Sequence, residues 1–273
     1  MDAVEPALFY TGLVAELYSP LRSSGAPDPE PYVRFVTRVG QPALELGCGD
    51  GDPLLDLRAR GFDVEGLDSS VDMLARCRTR ARERSLAVTL HESPMESMEL
   101  LRRYRSIYLA GPTFNLIVDD DTAWRALARI RAHLEPDGEA LIPLFVPRPL
   151  PPAAIGVPRE HVTDDGRTMR VTVLAEERDE EARLQTLVLR YEMEIGGERL
   201  VEDRPWVLHW HTQEGFRQLV GDAGLLVDDL QAHDDWQFTF CVSPDPAFEA
   251  RTSIRDRLPA AGRALAAGML GLD

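Results

Sequence analysis

The chain has 273 residues, 44% of them hydrophobic, and a formal net charge of −16. That length allows one large α/β domain with an insertion, and the acidity argues against a nucleic-acid ligand, whose binders gain affinity from cationic surface. No stretch approaches the roughly 18 unbroken apolar residues of a membrane span, and the acidic start "MDAVEPALFY" lacks a basic n-region, so a cytoplasmic location without a membrane partner is expected.

The elements are predicted in chain order as follows. Residues 6–18 and 26–39 read as two helices, the first from apolar residues at helical spacing and the second from its leading prolines. Strands are expected at 42–47, 62–68, 86–92, 106–111 and 138–145, with helices at 53–60, 71–84 and 121–134 between them. Such alternation predicts a mostly parallel sheet with helices on both faces. The proline-rich run after Pro147 cannot be helix or central strand. Residues 168–177, 183–195 and 199–211 then alternate apolar and polar side chains, the pattern of antiparallel strands. A helix capped by Thr212, strands at 223–230 and 236–242, and a helical tail complete the chain.

These elements divide into an N-terminal helical cover (1–40), a Rossmann-like domain in two pieces (41–146 and 209–245), an antiparallel β-insertion (147–208) and a helical tail (246–273). Substrate choice is expected in the insertion, since loops and insertions carry specificity on a fixed scaffold. A dimer contact there is an alternative or additional role, which leaves a homodimer open. Cys48, Cys77 and Cys241 form no CxxC pair and read as reduced thiols. The chain has no Lys, which excludes a lysine nucleophile.

The chemistry concentrates at "ALELGCGDGDPLL", residues 43–55. A strand running into glycines and then a helix forms a ligand cradle, because glycine adopts positive φ and lets the backbone approach a ligand closely. Asp68 ends the next strand, where a carboxylate can accept hydrogen bonds from a ribose. An adenosine-type cofactor follows. Gly47, Gly49 and Gly51 give G-x-G-x-G, with Asp52 where a pyrophosphate site would be burdened by negative charge. A dinucleotide fingerprint is G-x-G-x-x-G, so the spacing favours S-adenosylmethionine over NAD. Asp52 is tolerable beside the methionine end, which carries an ammonium group.

"LELGCGDG" and "VEGLDSSVDML" resemble the glycine motif and ribose segment of class I S-adenosylmethionine-dependent methyltransferases of the small-molecule type. "HLEPDGEALI" and "HWHTQEGFRQLVGDAGLLV" are similar to later family segments, with Asp137 replacing a glycine, and the likeness covers about 40 to 242. The resemblance implies a seven-stranded sheet whose last strand is antiparallel, and a cofactor site of Tyr18, Glu45, Gly47, Cys48, Gly49, Gly51, Asp68, Ser69, Met73, Met95, Glu96, Leu109 and Ala110. It implies Phe114 at the floor of the acceptor site; Tyr10 and, from the aromatic insertion, Trp210 are the further acceptor-side candidates.

Methyl transfer from a sulfonium requires an aligned nucleophile and, for a hydroxyl, a base. His209, His211 and Asn115 are the catalytic candidates. The two histidines, two apart, should share one face of a strand. Two such histidines could also ligate a metal, but no third ligand is apparent in the sequence and no metal is expected. The expected activity is methylation of a small-molecule N or O nucleophile, with S-adenosylhomocysteine as product. A non-catalytic cofactor-binding sensor or scaffold is the alternative, and a nicotinamide oxidoreductase a more distant one. The acid runs, Asp119–Asp121 among them, are read as solvated surface, and His133 as a helix C-terminal cation.

Overall fold

In the computed structural model, residues 9–22, 26–163 and 166–248 are described. The expected helical tail lies almost wholly outside them, as do the first eight residues. The chain enters through α1 (Gly12–Leu21) and α2 (Glu30–Val39). It then alternates through β1 (Ala43–Leu46), α3 (Leu54–Ala59), β2 (Val64–Asp68), α4 (Val71–Glu83), β3 (Leu90–Glu92), β4 (Tyr104–Leu109), α5 (Asp120–His133) and β5 (Leu134–Phe145). After α6 (Gln213–Asp222), strands β10 (Leu225–Ala232) and β11 (Gln237–Pro244) finish a seven-stranded sheet of order β10-β11-β5-β4-β1-β2-β3. Strands β1 to β5 are parallel, and β11 runs antiparallel to both its neighbours. The Rossmann-like architecture expected from the alternation is therefore present.

Burial on both faces explains why β1 reads as an apolar run without alternation. On one face α5 and α6 pack on the sheet. Ala123, Ala126, Leu127 and Ile130 recur at helical spacing along α5 and are all buried. The other face is covered by α2, α3 and α4 through Phe35, Val36, Leu54, Leu57, Leu74 and Cys77. Side-chain caps fix two helix starts: Asp119 accepts from Thr122 N, and Thr212 from Gly215 N.

Between β5 and α6 stands a second sheet. Its strands β6 (Pro158–Val162), β7 (Thr168–Asp179), β8 (Leu184–Ile195) and β9 (Glu198–His209) form an antiparallel array in that order. Strand β6 was not expected. It is exposed along its length and lies at the edge, the position where a leading proline is tolerated. Met169, Val171, Leu187, Leu189, Tyr191 and Met193 project from this sheet onto Phe9, Val14, Leu17 and Leu21. Thus α1 is held between the second sheet and α4 of the first.

Several expected boundaries shift: β3 begins at Leu90 rather than near 86, and β5 at Leu134 rather than 138. Helix α1 begins at Gly12, not near residue 6, so Tyr10 precedes the helix while Tyr18 lies on it. Their rings still meet edge to face at 5.3 Å. Strand β9 ends at His209, so Trp210 and His211 lie in the link to α6.

Candidate active site

Gly47 and Gly49 turn the chain at the end of β1 with φ of 66° and 53°. Both conformations suit glycine. At Gly47 a Cβ would also come within 2.6 Å of the Thr113 methyl, so the bend is closed against a side chain as well as strained for one. Beside it, Asp68 at the end of β2 accepts from Gly49 N and Ser70 N, each at 2.8 Å. One bond fixes the glycine bend and the other the start of α4. Ser70 then caps α4 by accepting from Met73 N, which sets Met73 over the bend.

These groups border a cleft of about 510 Å³, within the range of small-molecule sites. Gly47, Gly49, Asp68, Ser69 and Met73 line one side, and Met95 and Glu96 follow on the 3-10 turn after β3. Tyr10 and Tyr18 line it too, and the Tyr10 carbonyl accepts from Ser70 Oγ. Eight of the thirteen expected cofactor residues therefore share one cleft with Tyr10. The cradle fits an adenosine-type group on its own geometry: a bend whose two glycines put no side chain into the cleft, then a half-buried carboxylate with one backbone donor on each oxygen. A carboxylate offers about four acceptor directions, so two remain. Burial raises the Asp68 pKa, against the pull of the Ser70, Gly49 and Ser69 backbone groups.

The remaining five do not border it. Cys48 is buried beneath the bend, where its sulfur abuts Gly66, and Gly51 faces Cys77 and Leu55. Leu109 is buried, and Ala110 packs with the core on the α2 face. Glu45 also turns to that face. Its Oε2 accepts from Tyr108 Oη at 2.8 Å, Oε1 has no protein partner, and Tyr32 stacks on Tyr108.

Burial pushes the Glu45 carboxyl well above its ordinary range, with Tyr108 opposing and neighbouring acids adding to the rise. A carboxyl whose folded pKa is raised holds its proton longer than in the unfolded chain. Its stabilisation is complete below the unfolded value, about 4.3, and is lost as pH rises through the folded value. Glu45→Gln should therefore flatten the fall of stability with rising pH. Urea unfolding of both proteins at about pH 5.5 and about pH 8 checks this; parallel losses would refute it.

The catalytic and acceptor candidates are placed differently from expectation. Asn115, fully buried, donates to the Phe145 and His209 carbonyls and accepts from Phe145 N. It joins β5 to the end of β9 and does not face the cleft. Phe114 packs edge to face on Phe216, and Trp210 lies under the Arg178 guanidinium. His209 and His211 are 2% and 1% exposed, and neither borders the cleft. Their rings meet at 4.6 Å, and Asp120 faces both. The physical reason is packing: Phe114 and Phe216 close around His211 and draw the link after β9 inward.

Sequence reasoning missed Thr113, Ile117, Val118, Asp119 and Thr122, which also line the cleft. Asp119, read as solvated surface, is the N-cap of α5 at the cleft rim. The Asp-x-x-Thr spacing before an apolar-periodic stretch was its available signal. Burial raises its carboxyl pKa, but bonds from Thr122 outweigh this and leave it lowered. His133 is tied at both ring nitrogens: Nε2 accepts from Leu100 N and Nδ1 meets the Arg129 carbonyl.

Comparison with known proteins places these features. Residues 43–138 match the family model described as methyltransferase domain. A dTDP-3-amino-3,6-dideoxy-alpha-D-glucopyranose N,N-dimethyltransferase from Streptomyces fradiae is 29% identical over 158 residues, covering 55% of this chain and 60% of that one. The 3-amino-3,4,6-trideoxy counterpart from Streptomyces venezuelae is 29% identical over 163 residues, covering 59% and 64%. The matches thus span less than two thirds of these curated relatives. Among solved structures, an S-adenosylmethionine-dependent methyltransferase from Clostridium acetobutylicum superposes with a TM-score of 0.67 at 15% identity, covering 84% of this chain and 97% of that one. An amino pentose methyltransferase from Micromonospora echinaspora, solved with S-adenosylmethionine bound, gives 0.63 at 21%, covering 86% and 98%. Residues 43–138 thus match the methyltransferase-domain model, and the chain shares the fold of solved S-adenosylmethionine-dependent methyltransferases.

Proposed function

We propose that the protein methylates an amino nitrogen of a small molecule, an amino sugar by preference, with S-adenosylmethionine as donor. The observation that carries this reading is the cleft that the glycine bend, Asp68, Tyr10 and Asp119 line together. Gly47, Gly49 and Asp68 would hold the nucleoside part, with Met73, Met95 and Glu96 around it. The bound donor supplies an electrophilic methyl carbon, so the protein has chiefly to align the acceptor and exclude water. The Asp119 carboxylate, held below its ordinary range, favours a cationic or amino acceptor. An amine needs only to be neutral when it reacts, which suits a cleft that neither His209 nor His211 lines. The relatives named for amino-sugar N-methylation support nitrogen over oxygen.

The same reading treats residues 1–40 as cover, 41–146 with 209–245 as the cofactor-binding domain, and 147–208 as the acceptor-side insertion. It includes a cytoplasmic location, no nucleic-acid partner, and a homodimer as one arrangement the insertion allows. Among the described residues no helix is long and apolar enough to cross a membrane.

The test is incubation of the full chain with S-adenosylmethionine and a panel of dTDP-amino sugars. The expected result is S-adenosylhomocysteine together with acceptor mass gains of one or two methyl groups. Tight S-adenosylhomocysteine binding without turnover of any amine would favour the sensor reading. Binding of NADH in its place would overturn both.

A further inference from the structure

A second constellation lies behind the cleft, between the start of α5 and the end of β9. His209 Nε2 stands 3.7 Å from Asp120 Oδ1, and His211 Nδ1 stands 3.6 Å from the same oxygen. All three donor atoms lie within 4.8 Å of one another. We propose that Asp120, His209 and His211 form a binding site for a divalent transition-metal cation of the zinc class, clamping the insertion to the methyltransferase domain.

The spacing suits a metal better than direct hydrogen bonding. Neither imidazole comes as close to Asp120 as the roughly 2.7–3.2 Å of a real hydrogen bond. A tetrahedral zinc with bonds of about 2.0–2.1 Å keeps its donors about 3.3 Å apart, so a small inward movement of the carboxylate and the two rings would complete three ligands. Asp120 is exposed, which leaves room for water as the fourth. Two imidazoles and one carboxylate also form a donor set suited to zinc and its neighbours.

The surrounding charges divide. Asp119 adds negative charge, and the Ile117 carbonyl is a further polar group at His209. Arg183 is the opposing cation. It pairs with Asp120 Oδ2, which orients Oδ1 toward the two rings. Burial lowers the pKa of both histidines, His211 to about 3, with Arg183 lowering His209 and His209 lowering His211. Neutral rings keep the lone pairs that ligation needs.

The consequence is mechanical. Thr122, one turn into α5, and the N-cap Asp119 line the cleft, whereas His209 closes the second sheet. A metal shared between them would fix the insertion relative to the cleft rim. This site does not depend on the acceptor being an amine or on any turnover.

The experiment is calorimetric titration of the tag-free, chelator-treated full chain with Zn²⁺, paralleled by Co²⁺ absorption spectroscopy. One equivalent should bind, with visible Co²⁺ bands of a four- or five-coordinate site, and Zn²⁺ should raise the melting temperature reversibly. Asp120→Asn, at an exposed position, should weaken binding at least about tenfold, and His209→Gln with His211→Gln should abolish it. Absence of saturable uptake at micromolar metal would overturn the proposal. So would uptake that survives Asp120→Asn and the paired histidine change, since the ion would then sit elsewhere.

Discussion

Replacing Asp68 with alanine is expected to weaken S-adenosylhomocysteine binding at least about tenfold, or about 1.4 kcal/mol. The carboxylate joins three parts of the cleft at once. It receives Gly49 N on one oxygen and Ser70 N on the other, both at 2.8 Å, and its remaining acceptor directions would take the ribose hydroxyls. Hydrogen bonds to a charged group are worth about 1.5–3 kcal/mol each, so two of them exceed the threshold comfortably. Alanine would also leave Gly49 N without its acceptor, loosening the bend whose backbone faces the ligand. Asp68→Asn keeps the shape but turns an NH₂ group toward Gly49 N or Ser70 N, donor against donor, and should also lose affinity. Calorimetric titration of wild type and both variants decides the matter. Unchanged affinity in Asp68→Ala would remove the ribose contact, and the nucleoside reading of the cleft with it.

The parts legible in the sequence were those where a residue type is physically obligatory. Positive φ at Gly47 and Gly49 demands glycine in any fold, so the bend shows without a structure. Thr212 is readable because a side-chain cap is local to its helix. Strands β7, β8 and β9 are readable because one face is wet and the other buries Met169, Val171, Leu187 and Leu189 against α1; β6, exposed on both faces, carries no such pattern. What stayed hidden depends on contacts distant in sequence. In a central parallel strand both faces are buried, so no alternation reveals that Glu45 turns toward Tyr108 and away from the cleft. The "HWH" segment looks half-exposed until Phe114 and Phe216 close over it. Asp120 meets the histidines only because the sheet order places β5 and α5 beside the return from β9. The two carboxylates that flank the bend's exit, Asp50 and Asp52, belong to the same class, since their partners lie on other helices.

Asp52 provides the second large expected effect, through α1. The sequence reading set its carboxylate against the ligand's ammonium end. In the fold it faces Arg22 NH2 at 2.8 Å and Arg80 NH2 at 2.6 Å. Arg22 follows α1 directly and lies over the Tyr18 ring, 5.2 Å from its centroid. The chain of contacts runs from Asp52 through Arg22 to Tyr18, a wall of the cleft. Burial raises the Asp52 pKa, but the hydrogen bonds from Arg80 and Arg22 outweigh it and leave the carboxyl below its ordinary range. A lowered folded pKa gives stability that is present above the unfolded value, about 3.9, and lost as pH falls through the folded value. The latch is therefore set at neutral pH and opens in acid. Breaking a fully buried pair costs about 3–5 kcal/mol. Arg80 is partly solvated and keeps Asp50 at 3.1 Å, so Asp52→Ala should cost less, about 2–3 kcal/mol. Ser19 still bonds Asp50, and Gly12 N still bonds Asp72 at 2.7 Å, so α1 should remain docked at its start and loosen at its end. Hydrogen exchange should accelerate at the α1 amides near Tyr18 and much less in β1 and β4, and S-adenosylhomocysteine should dissociate faster. Equal protection of α1 in wild type and variant would show that the apolar contacts of Val14, Leu17 and Leu21 hold the helix without the latch.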